Sequence, residues 1–139
     1  MSIKYILLVE DNLDEILLTK RAFAICHISE NLLVARDGQD VLDLLYSHET
    51  HEETFPKKIP SVILLDLNLP KISGQDVLRR IRANAETSRI PVIILTSSTD
   101  DRDISECYRL GIHEYVRKPT SFSEFIDLIL RIKAKWIDS

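Results

Sequence analysis

The sequence predicts an α/β fold: a doubly wound, five-stranded parallel sheet with helices on both of its faces. Five short apolar runs alternate with five amphipathic segments along the chain. Strands that are joined through helices run parallel, because each helix carries the chain back to the start of the next strand. A chain of 139 residues has enough apolar side chains for one core. We therefore expect a single domain over residues 1–139, with no output domain.

The predicted strands are short segments, most of them apolar, at 5–9, 32–35, 62–66, 91–96 and 114–117. The predicted helices carry apolar residues at the spacing of one face, at 13 to about 26, 38–46, 74–82, 101–110 and 121 to about 138. Asp100 or Asp101 is placed to cap the fourth helix, and Ser121 is placed to cap the last one. The polar stretch SHETHEETFPKKIP at 47–60 is typical of a surface loop, and its HETHE segment lacks the histidine spacing of a zinc site.

Composition narrows the classes of function. The net charge of −4, from 18 basic and 22 acidic residues, argues against binding to nucleic acid or to a membrane surface. Cys26 and Cys107 lie in no CxxC pair and no zinc-binding spacing, which is typical of reduced thiols in a cytosolic protein. The apolar segment near the N-terminus is too short for a signal peptide or a membrane span. We expect a cytoplasmic protein.

Four of the predicted strands are followed by polar residues at the edge where ligands bind in such sheets. In chain order these residues are Glu10, Asp11, Asp66, Thr96 and Lys118. Converging carboxylates repel one another unless a cation lies among them, and hard oxygen ligands suit Mg²⁺. A hydroxyl and an ammonium complement a phosphoryl group, and an aspartate carboxylate can attack phosphorus. The pattern predicts Mg²⁺-assisted phosphoryl transfer onto an aspartate.

The same strand ends carry four motifs: VEDN at 9–12, LLDLNLPKISG at 64–74, LTSS at 95–98 and YVRKP at 115–119. Together they resemble the response-regulator receiver domain of two-component signalling, the CheY-like family. The resemblance covers nearly the whole chain and implies a (βα)5 flavodoxin-like fold. The segments VEDNLDEILLTKRAF, ARDGQDVLDLLY and IPVIILTSS are similar, more narrowly, to single-domain regulators that are partnered with phytochrome-type histidine kinases.

The resemblance implies a role for each matching acidic residue. Asp66 would be the phosphoacceptor, phosphorylated by a histidine kinase. Asp11 and Asp66 would bind Mg²⁺ directly, whereas Glu10 would act largely through a bound water. The backbone carbonyl of Asn68 would complete the protein ligands. Many receivers have two aspartates where this chain has Glu10 and Asp11, and this variant leaves metal binding in place.

The resemblance also implies the parts of a switch. Thr96 would be the switch hydroxyl, Lys118 the counter-ion of the phosphoryl group, and Tyr115 the aromatic side chain that rotates. A cis peptide bond is common in the family before the residue that matches Pro119. The protein would catalyse only its own phosphorylation and dephosphorylation, and its output would be a changed protein–protein surface.

Two other functions are compatible with parts of this pattern. An aspartate-nucleophile phosphatase shares the parallel α/β architecture, the Mg²⁺ and an aspartate at a strand tip. Such enzymes resemble one another in a DxD motif on the first strand, whereas the candidate nucleophile here lies on the third. A receiver-like domain that binds partners without being phosphorylated is the second alternative. The presence of Asp11, Asp66, Thr96 and Lys118 argues against it.

The last predicted helix has an apolar arc of roughly 200°, wider than packing on one sheet face requires. This arc includes Phe125, Leu128, Ile132 and Trp136, which we identify as a candidate dimer surface. The resemblance also indicates a homodimer, formed through the fourth helix, the fifth strand and the last helix. Alternatively, crossing helices or the end of the chain cover the excess.

Overall fold

Five parallel strands form one sheet in the computed structural model, which describes residues 4–46 and 59–139. The strands are β1 (Ile6–Val9), β2 (Leu32–Ala35), β3 (Val62–Leu65), β4 (Val92–Thr96) and β5 (Glu114–Arg117). Their order across the sheet is β2-β1-β3-β4-β5, and every neighbouring pair is parallel. The predicted α/β fold with a five-stranded parallel sheet is confirmed.

Five helices connect and follow the strands: α1 (Leu13–Ile25), α2 (Gly38–Tyr46), α3 (Gly74–Ala83), α4 (Asp101–Arg109) and α5 (Phe122–Ile132). All five begin after a side chain that accepts a hydrogen bond from the first turn, which satisfies an otherwise unpaired N–H. These capping residues are Asn12, Asp37, Ser73, Asp100 and Ser121. A short 3-10 turn, Ser29–Asn31, precedes β2.

The last predicted helix does not continue as an α-helix to about residue 138. After Ile132 the chain widens into a π-helical turn, Lys133–Ile137, in which the Asp138 N–H donates to the Lys133 carbonyl at 2.9 Å. The Lys133 side chain meanwhile donates to the Cys26 carbonyl at 3.0 Å, which links this turn to the end of α1. The wider turn is thus anchored to a neighbouring helix.

The sheet packs against helices on both of its faces. Successive side chains along each strand point to opposite sides, so each strand contributes to both layers. One layer of buried residues joins the sheet to α1 and α5, and includes Leu8, Leu64 and Phe23. The other joins the sheet to α2, α3 and α4, and includes Leu7, Ile63 and Leu78. Helices therefore cover both faces, as predicted, and the strand ends are fixed between two packed layers.

Two of the four residues predicted to form the dimer surface, Leu128 and Ile132, do not lie at the surface; the prediction is wrong for them. Leu128 and Ile132 are only 6% and 1% exposed, because they pack into the layer between the sheet, α1 and α5. Phe125 and Trp136 are half-buried against the same layer. On α5 the exposed apolar side chain is instead Leu130, at 47%.

Three further expectations concern the chain outside the sheet. Cys26 and Cys107 are both buried free thiols. No helix in the described ranges combines the length and the apolar character that crossing a membrane requires. The predicted surface loop at 47–60 lies outside the described residues, apart from Ile59 and Pro60.

Candidate functional site

Three of the predicted site residues, Glu10, Asp66 and Lys118, meet at the edge of the sheet where the strand order reverses. The connection after β1 leads to β2 on one side of β1, and the connection after β2 leads to β3 on the other side. A crevice therefore opens between the ends of β1 and β3. Glu10 follows β1, and its N–H donates to the Ala35 carbonyl at 3.0 Å. Asp66 follows β3, and its N–H donates to the Val9 carbonyl at 3.1 Å. These bonds extend the sheet by one residue and fix both carboxylates at its edge.

The ammonium of Lys118 lies at the centre of the site. Its backbone N–H donates to the Thr96 carbonyl at 2.8 Å, which positions it after β5. Its Nζ atom is 2.9 Å from Glu10 Oε1 and 3.2 Å from Asp66 Oδ2, and it also contacts Glu15 Oε2. The three N–H donors of the ammonium thus match three carboxylates. Glu10 and Asp66 are 4% and 6% exposed, so this pairing offsets the cost of burying them.

The site carries an excess of negative charge. Burial raises the pKa of Glu10 to about 7, although hydrogen bonds from Lys118 and from the Asn12 N–H act in the opposite direction. Burial by itself would lower the pKa of Lys118. Its hydrogen bonds to Glu15 and Glu10 and the charge of Asp66 outweigh that effect, so the pKa of this ammonium is raised. One ammonium faces three carboxylates, and a cation would relieve the remaining repulsion.

A cluster of three carboxylates could hold such a cation. One oxygen from each of Glu10, Glu15 and Asp66 lies within 4.8 Å of the others. Carboxylate oxygens are the ligands that Mg²⁺ and Mn²⁺ prefer. The donor set therefore fits a small divalent cation.

Two of the predicted metal ligands lie outside this cluster. Asp11 is exposed, and among the described residues it belongs to no group of three or more potential ligands. Its backbone carbonyl accepts a hydrogen bond from Arg36 at 3.5 Å. Asn68 is also exposed, and its N–H donates to Asp66 Oδ1 at 3.1 Å. Metal binding by Asp11 and by the Asn68 carbonyl remains a prediction.

Glu15 is the site residue that the sequence analysis missed. It lies in the first turn of α1, where acidic residues are common because they complement the helix dipole. The signal that could have identified it is its position four residues after Asp11, one helical turn beyond the tip of β1. At that distance a glutamate side chain reaches back to the sheet edge.

The two predicted switch residues both contact Ser98, in the loop between β4 and α4. Thr96 is fully buried, and its Oγ1 accepts from the Ser98 N–H at 3.3 Å. The half-buried Tyr115 donates from its hydroxyl to the Ser98 carbonyl at 3.1 Å, and burial raises the pKa of this phenol. The Ser98 hydroxyl donates to Asp103 Oδ2 at 2.9 Å, and Gln75 donates to Asp103 Oδ1 at 3.2 Å. Ser98 therefore links the end of β4 to α3, α4 and β5.

The peptide bond before Pro119 is trans, since the described residues contain no cis bond. This corrects the expectation from the family resemblance. With the trans bond in place, Lys118 Nζ lies 3.2 Å from Asp66 Oδ2.

Gly74 fixes the backbone on the other side of Asp66. A Cβ atom at this position would lie 2.5 Å from the Asp66 carbonyl oxygen and 2.6 Å from the Leu67 Cα. The Gly74 N–H donates to the Leu67 carbonyl at 3.0 Å. The start of α3 thus packs directly against the chain that carries Asp66, which only a residue without a side chain permits.

A pocket of about 130 Å³ opens beside Lys118 and Glu15. Its walls are largely apolar and come from α1, β4 and the start of α5, including Leu18, Leu95 and Phe122. The pocket gives access to the ammonium from the side of α1.

Comparisons with known proteins agree with this geometry. A model of the response regulator receiver domain matches residues 6–130. The probable methanogenesis regulatory protein FilR2 of Methanothrix harundinacea is 37% identical over 132 residues, which cover 95% of this chain and 83% of FilR2. The response regulator Rcp1 of Synechocystis sp. is 33% identical over 136 residues, which cover 98% of this chain and 90% of Rcp1.

Two solved structures have the same fold. The crystal structure of the phosphorylated cyanobacterial phytochrome response regulator RcpA matches with a TM-score of 0.83 at 33% identity, covering 97% of this chain and 94% of RcpA. The Mn²⁺-bound form of Rcp1 matches with a TM-score of 0.82 at 33% identity, covering 98% of this chain and 96% of that one. Receiver domains are in general signalling modules and not enzymes. The family model spans most of the chain, and the relatives match over most of their own length, so this protein belongs to the response-regulator receiver domain family.

Proposed function

We propose that this protein is a phosphoacceptor response regulator, in which Asp66 receives a phosphoryl group from a histidine kinase in the presence of Mg²⁺. The observation that supports this most directly is the buried Asp66 carboxylate, 3.2 Å from the Lys118 ammonium at the open edge of the sheet. A carboxylate held in this way is oriented before a donor arrives.

The transfer would proceed by attack of an Asp66 carboxylate oxygen on phosphorus. The new O–P bond forms as the P–N bond to the donor imidazole breaks, and the electron pair leaves with that imidazole. The Asn68 N–H holds one carboxylate oxygen at 3.1 Å and Lys118 holds the other, so both are oriented before the donor arrives. Mg²⁺, when bound, supplies positive charge that neutralises the phosphoryl oxygens.

The response would begin at Thr96. Its hydroxyl would turn toward the phosphoryl oxygens and release the Ser98 N–H that it now accepts. The Tyr115 hydroxyl, bonded to the carbonyl of the same residue, would then move with the loop. The surface formed by α4, β5 and α5 would change its affinity for a partner.

The kinase partner is of the phytochrome type in this proposal, and the protein acts as a homodimer through α4, β5 and α5. The similarity to RcpA and Rcp1 supports the kinase, because RcpA is a phytochrome response regulator. Exposed apolar side chains on two of these elements, Tyr108 and Leu130, support the dimer.

The test of phosphorylation is incubation with acetyl phosphate or phosphoramidate and Mg²⁺, followed by intact-mass spectrometry. We expect the mass of one phosphoryl group to be added, and we expect the addition to be lost with chelator and in Asp66→Asn. The matched control Asp127→Asn, at an exposed position of α5, should still be phosphorylated. Absence of label on the wild-type protein with these donors and with histidine kinases would contradict the proposal. Turnover of a chromogenic phosphomonoester that depends on Asp66 would indicate a phosphatase instead.

The test of the dimer is sedimentation with and without beryllofluoride and Mg²⁺. A change in the sedimenting species of the wild-type protein, absent in Asp66→Asn, would support a phosphorylation-dependent assembly. A wild-type protein that sediments identically in both conditions would contradict the dependence of assembly on phosphorylation.

A further inference from the structure

Glu15 has an unusual partner for its position in a helix. It is the third residue after the N-cap Asn12, where a glutamate side chain commonly folds back to accept the N–H of the N-cap residue. Half of that arrangement is present, because Asn12 Oδ1 accepts the Glu15 N–H at 3.1 Å. The other half is absent, because the Asn12 N–H donates to Glu10 Oε2, also at 3.1 Å. The Glu15 carboxylate is therefore free to extend to Lys118 instead.

The contact between Glu15 and Lys118 matters because each N–H of the Lys118 ammonium already has an acceptor. Its three donors face Glu10, Glu15 and Asp66, so the ammonium can bind a phosphoryl oxygen and keep its contact with Asp66 only by releasing Glu10 or Glu15. Glu10 and Asp66 are buried, whereas the Glu15 side chain is 38% exposed. Water can solvate the Glu15 carboxylate once it is released, so its displacement costs the least.

We propose that Glu15 is a positioning residue that acts through Lys118, as an exchangeable counter-ion. In the unphosphorylated protein its carboxylate holds the ammonium at the site, and it releases the ammonium when a phosphoryl group forms on Asp66. Glu15 thus competes with the phosphoryl group for Lys118 and slows phosphorylation. This inference rests on the proposed function, since it presupposes that Asp66 accepts a phosphoryl group.

The experiment compares the wild-type protein with Glu15→Gln at saturating Mg²⁺, with phosphoramidate as the donor. We expect Glu15→Gln to be phosphorylated about two- to fivefold faster, because it removes one ionic partner of a partly buried ammonium. The conservative variant Glu15→Asp, which restores the charge on a shorter side chain, should return the rate toward that of the wild-type protein. The matched control Asp14→Asn removes the same charge from the same helical turn, at an exposed position that does not contact Lys118, and should leave the rate unchanged.

Two further measurements separate this role from others. Thermal unfolding of Glu15→Gln identifies a purely structural effect, which would lower the melting temperature without raising the rate. Isothermal titration calorimetry with Mg²⁺ identifies a metal ligand. A loss of Mg²⁺ affinity of more than about tenfold, together with a slower reaction at saturating Mg²⁺, would overturn the inference. An unchanged rate in Glu15→Gln would also overturn it while the wild-type protein is labelled, whereas failure to label the wild-type protein would overturn the proposed function itself.

Discussion

Replacing Glu10 with glutamine tests the electrostatics of the site through the stability of the metal-free protein. Burial raises the pKa of Glu10 from 4.5 to about 7, so the folded chain holds this proton more tightly than the unfolded chain does. The corresponding stability is fully present below pH 4.5 and is lost as the pH rises through about 7. At 1.36 kcal/mol per pKa unit, the loss amounts to about 3 kcal/mol.

The assay is urea unfolding of the wild-type protein and Glu10→Gln in the presence of a chelator, at several values between about pH 4 and pH 8. Because all other groups titrate in both proteins, the difference in unfolding free energy isolates this carboxyl. We expect Glu10→Gln to gain about 3 kcal/mol relative to the wild-type protein across this range. If the substitution also weakens the contacts to Lys118 or to the Asn12 N–H, the difference in unfolding free energy is shifted by an amount that is already present at the lowest pH.

An exposed control, Glu30→Gln, removes the same kind of carboxyl from the surface and should change the unfolding free energy by less than about 0.5 kcal/mol. At about pH 8, Mg²⁺ should stabilise the wild-type protein more than Glu10→Gln, because the cation replaces the proton as the partner of the ionised carboxylates. A difference in unfolding free energy that stays constant with pH would refute the reasoning, since it would mean that Glu10 binds its proton equally tightly in the folded and the unfolded chain.

Four further substitutions test the packing of the fold, each by urea unfolding. Gly74→Ala should destabilise the fold by about 3 kcal/mol, because the new methyl group would overlap the Asp66 carbonyl. Arg82→Met should cost about 2–4 kcal/mol, because its half-buried guanidinium donates to four backbone carbonyls that link α3 to the ends of the following loop and of α4. Leu128→Ala should cost about 2–4 kcal/mol, whereas Leu130→Ala on the same helix should change the unfolding free energy by less than about 0.5 kcal/mol. Similar losses for the two leucines would contradict the assignment of Leu128 to the core.

Much of the fold and of the site could be predicted from the sequence because both depend on local pattern. Most of the strands are short apolar runs followed by a polar residue, and parallel strands deliver their carboxyl ends to one edge. Asp66, Glu10 and Lys118 were therefore predicted together, and the structure brings them within hydrogen-bonding distance.

The remaining features depend on competition between distant groups. Glu10 accepts the hydrogen bond from the Asn12 N–H, so Glu15 contacts Lys118 and does not cap its own helix. The helical pattern of α5 shows which residues are apolar but not which neighbour covers them, so the packing of Leu128 against the layer shared with α1 could not be seen. The trans bond before Pro119 is likewise a property of the folded loop and not of the motif.

The position of Ser98 has a consequence for how the protein can diverge. Its backbone and hydroxyl join Thr96, Tyr115 and Asp103, and Gln75 extends the chain of bonds into α3. Substitutions at Gln75 or Asp103 therefore change the bonding of the Ser98 loop without altering any group that contacts Asp66. Under the proposed function, such substitutions would alter the response of the loop while the carboxylates and the ammonium around Asp66 stay the same.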